Sequence, residues 1–150
     1  MRAVIQRVSK AKVEVNGETV GKIKHGLLIL LGVCPQDNEE IAKKLANKIS
    51  KLRIFKDDNG KMNLSVLDTG GSALVVSQFT LYANSKKGNR PSYIDAAAPA
   101  LADSLYMSFS SYLKELGIKV ENGIFGANMQ VKLLNDGPVT IILDTKELGY

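Results

Sequence analysis

Side-chain nucleophiles need a neighbouring base to activate them. This 150-residue chain offers one histidine and one cysteine for the purpose. His25 sits in Lys24-His25-Gly26, a turn between two expected strands. Cys34 follows the apolar run Leu27–Val33 and precedes Pro35, which marks a buried strand end. The two would stand at opposite ends of one strand, about 25–30 Å apart at the usual rise per residue, so they form no dyad. There is no Gly-x-Ser-x-Gly elbow, no Walker loop and no dinucleotide fingerprint. Asp57-Asp58 falls in a hydrophilic loop and reads as a solvated turn. No Cys/His cluster has zinc spacing, so neither a metal nor an organic cofactor is expected.

Three stretches remain unusual for a chain so short of catalytic side chains. "SQFTLYA" (77–83) puts Ser77, Gln78 and Thr80 within or at the end of an otherwise apolar strand. "KKGNRPS" gathers Lys86, Lys87 and Arg90 in one polar loop. "NDGPVTI" (135–141) reads as a tight turn, yet Pro138 stands where a strand should start, and proline has no amide hydrogen to give a ladder. Each has a plain explanation when taken singly. Thr suits strands, Asp-Gly suits hairpins, and basic loops are common. Thr80 has no visible base, which disfavours it as a nucleophile.

The elements that must position these residues follow from periodicity. Ala3–Val8 and Ala11–Val15 read as strands, and Asn16-Gly17 reads as a hairpin turn leading to Val20–Lys24. Leu27–Val33 is continuously apolar, as in a strand buried on both faces. Ile41, Leu45, Ile49 and Leu52 recur at helical spacing, predicting a helix over 38–52 with Asp37 and Glu40 as a capping box. Asn59-Gly60 marks a polar loop. Leu64–Val66 and Ala73–Leu81 read as strands. A second helix runs from Pro99 to Leu116, closed by Gly117. Strands over 118–121, 129–134 and 138–144 finish the chain. The expected fold is α/β: mixed, largely antiparallel sheets forming a sandwich or part-closed barrel with two main helices, in one domain over residues 1–150.

Bulk properties are permissive. The chain is 45% hydrophobic and 23% charged, with 20 Lys and Arg against 15 Asp and Glu, a net charge of +5. That allows a polyanionic partner such as RNA without requiring one. The N-terminal residues alternate and carry charge, unlike a signal or transit peptide. "GLLILLGV" is too short to span a bilayer. A cytosolic location without membrane attachment is the default expectation.

Taken together, "MRAVIQRVSKAKVEV", "KLRIFKDDNGKMNLSV", "SQFTLYA", "GNRPSY" and "FGANMQVKLLNDGPVTI" resemble the D-aminoacyl-tRNA deacylases of the D-tyrosyl-tRNA deacylase type, over nearly the whole chain. "SQFTL" and "NDGPVT" carry the specificity of that resemblance. It implies a homodimeric hydrolase that cuts the ester of D-aminoacyl-tRNA, and of tRNA mischarged with glycine, with the active site at the subunit interface. It also implies a cis Gly137–Pro138 peptide that enters the partner's site and presents backbone carbonyls to the substrate α-carbon. An L-side chain would collide with them, while a D-side chain or the hydrogen of glycine points away.

On the same resemblance, backbone amides around Phe79 and Thr80 would hold the oxyanion. The ribose 2′-hydroxyl would help activate water, and Thr80 would position rather than attack. Ser77 and Gln78 would line the pocket by hydrogen bonding, with Phe79 stacked on adenine. Phe125, Ala127 and Met129 would shape the pocket, Arg7 would brace the turn, and Lys86, Lys87 and Arg90 would meet phosphates. Two other readings stay open: a non-catalytic RNA-binding dimer, and an esterase acting on small metabolites.

Overall fold

The computed structural model describes residues 1–150. Its framework is a six-stranded mixed sheet. Strand β1 (Arg2–Val15) is long enough to serve two neighbours along its length. Its first half pairs antiparallel with β3 (Gly26–Gly32), and its second half with β2 (Glu18–Ile23). The hairpin between β1 and β2 turns at Asn16-Gly17, both at positive φ, as the sequence predicts. The C-terminal strand β8 (Gln130–Asp144) covers the other edge of β1 along nearly its full length.

Two crossovers build the parallel part of the sheet. Helix α1 (Glu39–Ser50) and the small antiparallel pair β4 (Phe55–Lys56) and β5 (Met62–Leu64) carry the chain from β3 to β6 (Ser72–Ser77). Helix α2 (Pro99–Glu115) carries it from β6 to β7 (Lys119–Asn122). Strands β3, β6 and β7 therefore run side by side in parallel, with their carboxyl ends together. The expected mixed, largely antiparallel pairing holds, since β1 pairs antiparallel with β2, β3 and β8. The parallel core arises because each helix must pack back on the face its strands leave open.

The sheet curls until it nearly closes. Gly21 of β2 lies so near β7 that a Cβ there would stand 2.6 Å from the Asn122 carbonyl oxygen. Inside the curl lies a small core of seven buried residues including Val8, Val13, Leu28 and Leu74. The larger core, 21 buried residues, lies between the sheet and the two helices. Ile5, Ile29 and Val75 face Leu45, Ile49, Phe109 and Leu113 there. The expectation of a mixed, part-closed barrel with two main helices describes this architecture.

Three local expectations need correction. The cap of α1 is Asn38, whose side chain accepts from the Ile41 amide at 3.0 Å. Asp37 instead turns back to accept from the Cys34 amide at 2.7 Å, so the capping-box reading was one residue out. The expected strand 73–81 stops at Ser77, and Phe79–Tyr82 form a single 3-10 turn. The expected strand at 64–66 lies at Met62–Leu64 instead. Apolar content alone does not separate a strand from a tight turn that also buries its side chains.

Candidate active site

The carboxyl ends of parallel strands are where a curled α/β sheet leaves a crevice. Here β3, β6 and β7 all end on one side, and a cleft of 530 Å³ opens there. Ser77, Gln78 and Phe79 enter it from the end of β6, and Phe125, Ala127 and Met129 from the chain that follows β7. Six residues singled out in the sequence thus share one wall-to-wall site. Thirteen of the seventeen lining residues are hydrophobic and none carries a formal charge. The volume suits a small organic ligand, and the apolar lining suits one that brings its own polar groups.

The 3-10 turn gives the cleft its polar edge. Phe79 and Thr80 open that turn, so their amides have no acceptor within it. The Leu81 amide, next in line, already donates to the Gln78 carbonyl at 3.2 Å. Two adjacent N–H groups at a helix start form the arrangement that stabilises a developing oxyanion. The Thr80 hydroxyl lies outside the cleft lining and accepts from the Gln78 side-chain amide at 2.5 Å. No histidine, carboxylate or lysine approaches it within bonding distance. His25 packs edge-on against Phe55 beside the opposite end of β3.

One anchor holds the turn and another the wall behind the cleft. Arg2 donates from Nη1 to the Leu81 carbonyl at 2.6 Å, and its Nε and Nη2 reach Asp144 at 2.9 and 2.8 Å. The guanidinium also lies over the Tyr82 ring at 4.7 Å. Burial alone would push the Asp144 carboxyl up. Hydrogen bonds from Arg2 and from the Lys146 amide, with the charge of Arg2, outweigh it and hold the group below its ordinary value. From behind the cleft, the Tyr106 hydroxyl donates to the Val75 carbonyl at 2.9 Å and lies 3.4 Å from the Gly123 carbonyl. The Gly123 amide also donates to Val75 at 3.0 Å. Tyr106 therefore pins the segment bearing Phe125 to the strand bearing Ser77. Burial pushes its phenol pKa up, so the hydroxyl stays a neutral donor.

The sequence reading did not pick out Tyr106. Its position between Leu105 and Phe109 on the buried face of α2 is a usable signal, because a tyrosine in an apolar stripe must find a partner for its hydroxyl. Tyr93 was noticed only as part of a motif, yet it lines the cleft and meets Phe79 edge to face at 5.0 Å.

Gly137, Pro138 and Arg7 gather elsewhere. Between the pairs Gln6↔Thr140 and Val8↔Asn135, β1 spends one residue, Arg7, while β8 spends Asp136, Gly137, Pro138 and Val139. The expected turn between two strands is thus a bulge within one long strand. Pro138 sits where no ladder bond is asked of it. The Asn135 side chain closes the bulge, accepting from the Val139 amide at 3.1 Å and donating to the Thr140 hydroxyl at 3.1 Å. Buried Arg7 fills the gap, donating to the Asp136 carbonyl at 3.1 Å and to the Ile54 carbonyl at 2.5 Å. The Gly137–Pro138 peptide is cis, and Gly137 has φ +129°. Both residues are exposed and absent from the lining of the cleft. Arg7 pairs with Leu27 on β3 while Ser77 pairs with Leu31. The bulge and the cleft are thus separated by about 13 Å along that strand alone.

Lys86, Lys87 and Arg90 are exposed, form no ion pair, and lie outside the cleft. Asp57 accepts from the Asn59 and Lys61 amides at 2.9 and 3.0 Å, which makes it the turn residue its context suggests. No group of three or more His, Cys, Asp and Glu is arranged to hold a metal ion. No helix is long and apolar enough to cross a membrane.

The family model described as D-Tyr-tRNA(Tyr) deacylase matches residues 4–144. The chain belongs to that family. A D-aminoacyl-tRNA deacylase of Thermosipho africanus (strain TCF52B) is 61% identical over 148 residues, 99% of each chain. One of Lacticaseibacillus casei (strain BL23) is 58% identical over 146 residues, covering 97% of this chain and 99% of the relative. Among solved structures, the c-Myc DNA Unwinding Element Binding Protein superposes with a TM-score of 0.90 at 40% identity, covering 96% of this chain and 98% of that one. A probable eukaryotic D-amino acid tRNA deacylase shares the fold at a TM-score of 0.79 and 16% identity, covering 95% and 97%. The family resemblance drawn from "SQFTL" and "NDGPVT" is therefore upheld across the chain.

Proposed function

We propose that this protein hydrolyses the ester of D-aminoacyl-tRNA, and of tRNA mischarged with glycine, releasing free tRNA and amino acid. The observation that carries this reading is the uncharged cleft at three parallel strand ends, lined by Phe79 at the start of a 3-10 turn and lacking any side-chain base. An aminoacyl ester is already activated, so it needs oxyanion stabilisation more than a strong nucleophile. The Phe79 and Thr80 amides receive the carbonyl oxygen as the tetrahedral centre forms. Water attacks, with the ribose 2′-hydroxyl of the substrate orienting it and relaying its proton to the departing 3′-oxygen. Ser77 and Gln78 orient the substrate. The terminal adenine stacks on Phe79, while Phe125, Ala127 and Met129 bound the ligand. Lys86, Lys87 and Arg90 meet phosphates. No cofactor takes part.

Chirality is read by main chain. Gly137 and Pro138 present carbonyl oxygens where an L-side chain would project, and any L-residue collides whatever its identity. Arg7 braces that wall. The wall lies outside the cleft of its own chain, on an edge strand where Leu134 is 54% and Ile142 68% exposed. On this reading it serves the cleft of a second copy in a homodimer with a shared site, which the exposed apolar residues of that strand support. It works in the cytoplasm, where charged tRNA is found.

The test is incubation of the purified protein with D-Tyr-tRNA and L-Tyr-tRNA, with sedimentation to give the oligomeric state. Rapid hydrolysis of the first alone by a dimer is expected. Equal rates on both, or full activity as a monomer, would remove the account of the wall. A second reading is binding of nucleic acid without catalysis, and the name of the DNA-element binding relative favours it. Tight tRNA binding with no hydrolysis would establish it instead. Activity on free D-amino-acid esters equal to that on tRNA esters would point to small metabolites.

A further inference from the structure

Two aromatic rings stand at the mouth of the cleft and face different ways. Phe79 is 56% exposed and Tyr93 41%. Their planes lie at 70°. A base lying flat on one ring meets the other edge-on, so the pair offers two stacking planes instead of one slot. Ile94, next in the chain, is 82% exposed and lies outside the cleft lining.

The same loop supplies charge. Between Asn84 and Asp95 it carries Lys86, Lys87 and Arg90 against the single carboxylate of Asp95. All three cations are exposed. The loop is tethered at both ends. Asn84 and Ser92 exchange backbone hydrogen bonds at 2.8 and 2.9 Å, and the Ala97 amide donates to the Val33 carbonyl at 2.9 Å. Tyr93 lies between those tethers, with the cations beyond one and the cleft beyond the other. An exposed ring and aliphatic side chain flanked by unpaired cations match a single nucleic acid strand, which brings a flat base and a phosphate together. A protein partner with an apolar face would leave the cations uncompensated.

We infer that Tyr93 and Ile94 bind the nucleotide immediately 5′ of the terminal adenosine, its base on the Tyr93 ring and its phosphate toward the Lys86–Arg90 loop. This rests on the reading of the cleft as the site of the aminoacylated terminal adenosine. Its consequence is that the site measures two unpaired nucleotides and favours RNA-linked esters over free aminoacyl-nucleosides.

Two probes test it: the D-tyrosyl ester of full-length tRNA, and D-tyrosyl-adenosine, which lacks the second nucleotide. The readout is the ratio of kcat/KM on the first to that on the second. Stacking of a base on one aromatic residue is lost in Tyr93→Ala, which should lower the ratio by about fivefold or more. Tyr93→Phe should keep it, because the ring face remains. Ile94→Ser should lower it to a smaller extent. Replacing Lys86 and Lys87 by Ala should flatten the salt dependence on tRNA alone. An unchanged ratio in Tyr93→Ala, whether both rates fall together or neither falls, overturns the inference. So does conversion of the Tyr93→Ala protein to a different oligomeric state, which would make this surface an interface between copies. If the wild-type protein cleaves neither probe, the reading of the cleft fails first and this one falls with it.

Discussion

The substitution Gly137→Ala tests the bulge most directly. Gly137 has φ +129°, outside even the small left-handed region that other residues visit. A Cβ built there would lie 2.9 Å from Val139 Cγ2, 3.0 Å from the Val139 backbone nitrogen and 3.1 Å from Arg7 Nη2. The Val139 contact is intrinsic to the bulge, and Arg7 is fixed by two carbonyls, so neither neighbour yields freely. Backbone strain of this kind costs about 1–3 kcal/mol, and the close contacts place the expected loss near the upper end. For a chain of this size that is a fall in Tm of about 6–12 °C, which leaves the protein folded. Relief of the contacts must shift the Gly137 carbonyl by several tenths of an ångström. A wall that works by collision then loses part of its clash. The expected result is a selective rise of L-Tyr-tRNA cleavage, about tenfold for each 1.4 kcal/mol of lost repulsion, with a smaller loss on the D-substrate. Gly70→Ala is the control. Gly70 also has positive φ (+61°), yet nothing lies within 4 Å of its Cβ position. It should cost stability by about 1 kcal/mol without touching selectivity. Thermal denaturation and paired D- and L-deacylation rates decide the matter. A Gly137→Ala protein with wild-type Tm and wild-type rejection of L-Tyr-tRNA would refute the reasoning.

Three further outcomes are expected. Thr80→Ala removes a hydroxyl that accepts from Gln78, and the deacylation rate should fall by about five- to tenfold, the worth of one hydrogen bond. A loss approaching the roughly 10⁶-fold seen when a covalent nucleophile is removed would instead make Thr80 the attacking group. Tyr106→Phe keeps the ring but removes the hydroxyl that donates to the Val75 carbonyl and lies 3.4 Å from the Gly123 carbonyl, leaving the Gly123 amide as the remaining tie to β6. Stability should drop by about 1 kcal/mol, with KM rising more than kcat falls as the Phe125 wall loosens. Asp144→Asn removes a carboxylate held below its ordinary value of 3.8. A depressed pKa contributes stability that is present above the unfolded value and lost as pH falls through the folded one. The stability gap between wild type and variant should therefore be full at neutral pH and close as acid is added below 3.8, as read by denaturant unfolding across pH.

Much of the scaffold was legible because periodicity reports which face of an element is buried. Ile41, Leu45 and Ile49 mark α1, the unbroken Leu27–Leu31 run marks a strand with cores on both sides, and Asn16-Gly17 marks the hairpin. Recognising "SQFTL" and "NDGPVT" identified the residues from which to build a site, and family membership followed from the same motifs. Local pattern could not say that the strand ends at Ser77, because Phe79, Leu81 and Tyr82 are as apolar as strand residues whether they continue the strand or turn, and only Tyr82 of the three is buried. Nor could it say that Gly137 and Pro138 lie in a bulge opposite Arg7, since register is fixed by pairing partners 129 residues away in the chain. Sequence pattern was enough to place both helices, most of the strands and the apolar residues of the core. The joint ending of three parallel strands at the cleft, and the separation of the Gly-Pro bulge from it, come from the folded chain. Both depend on long-range pairing, whose free energy belongs to contacts that no local window contains.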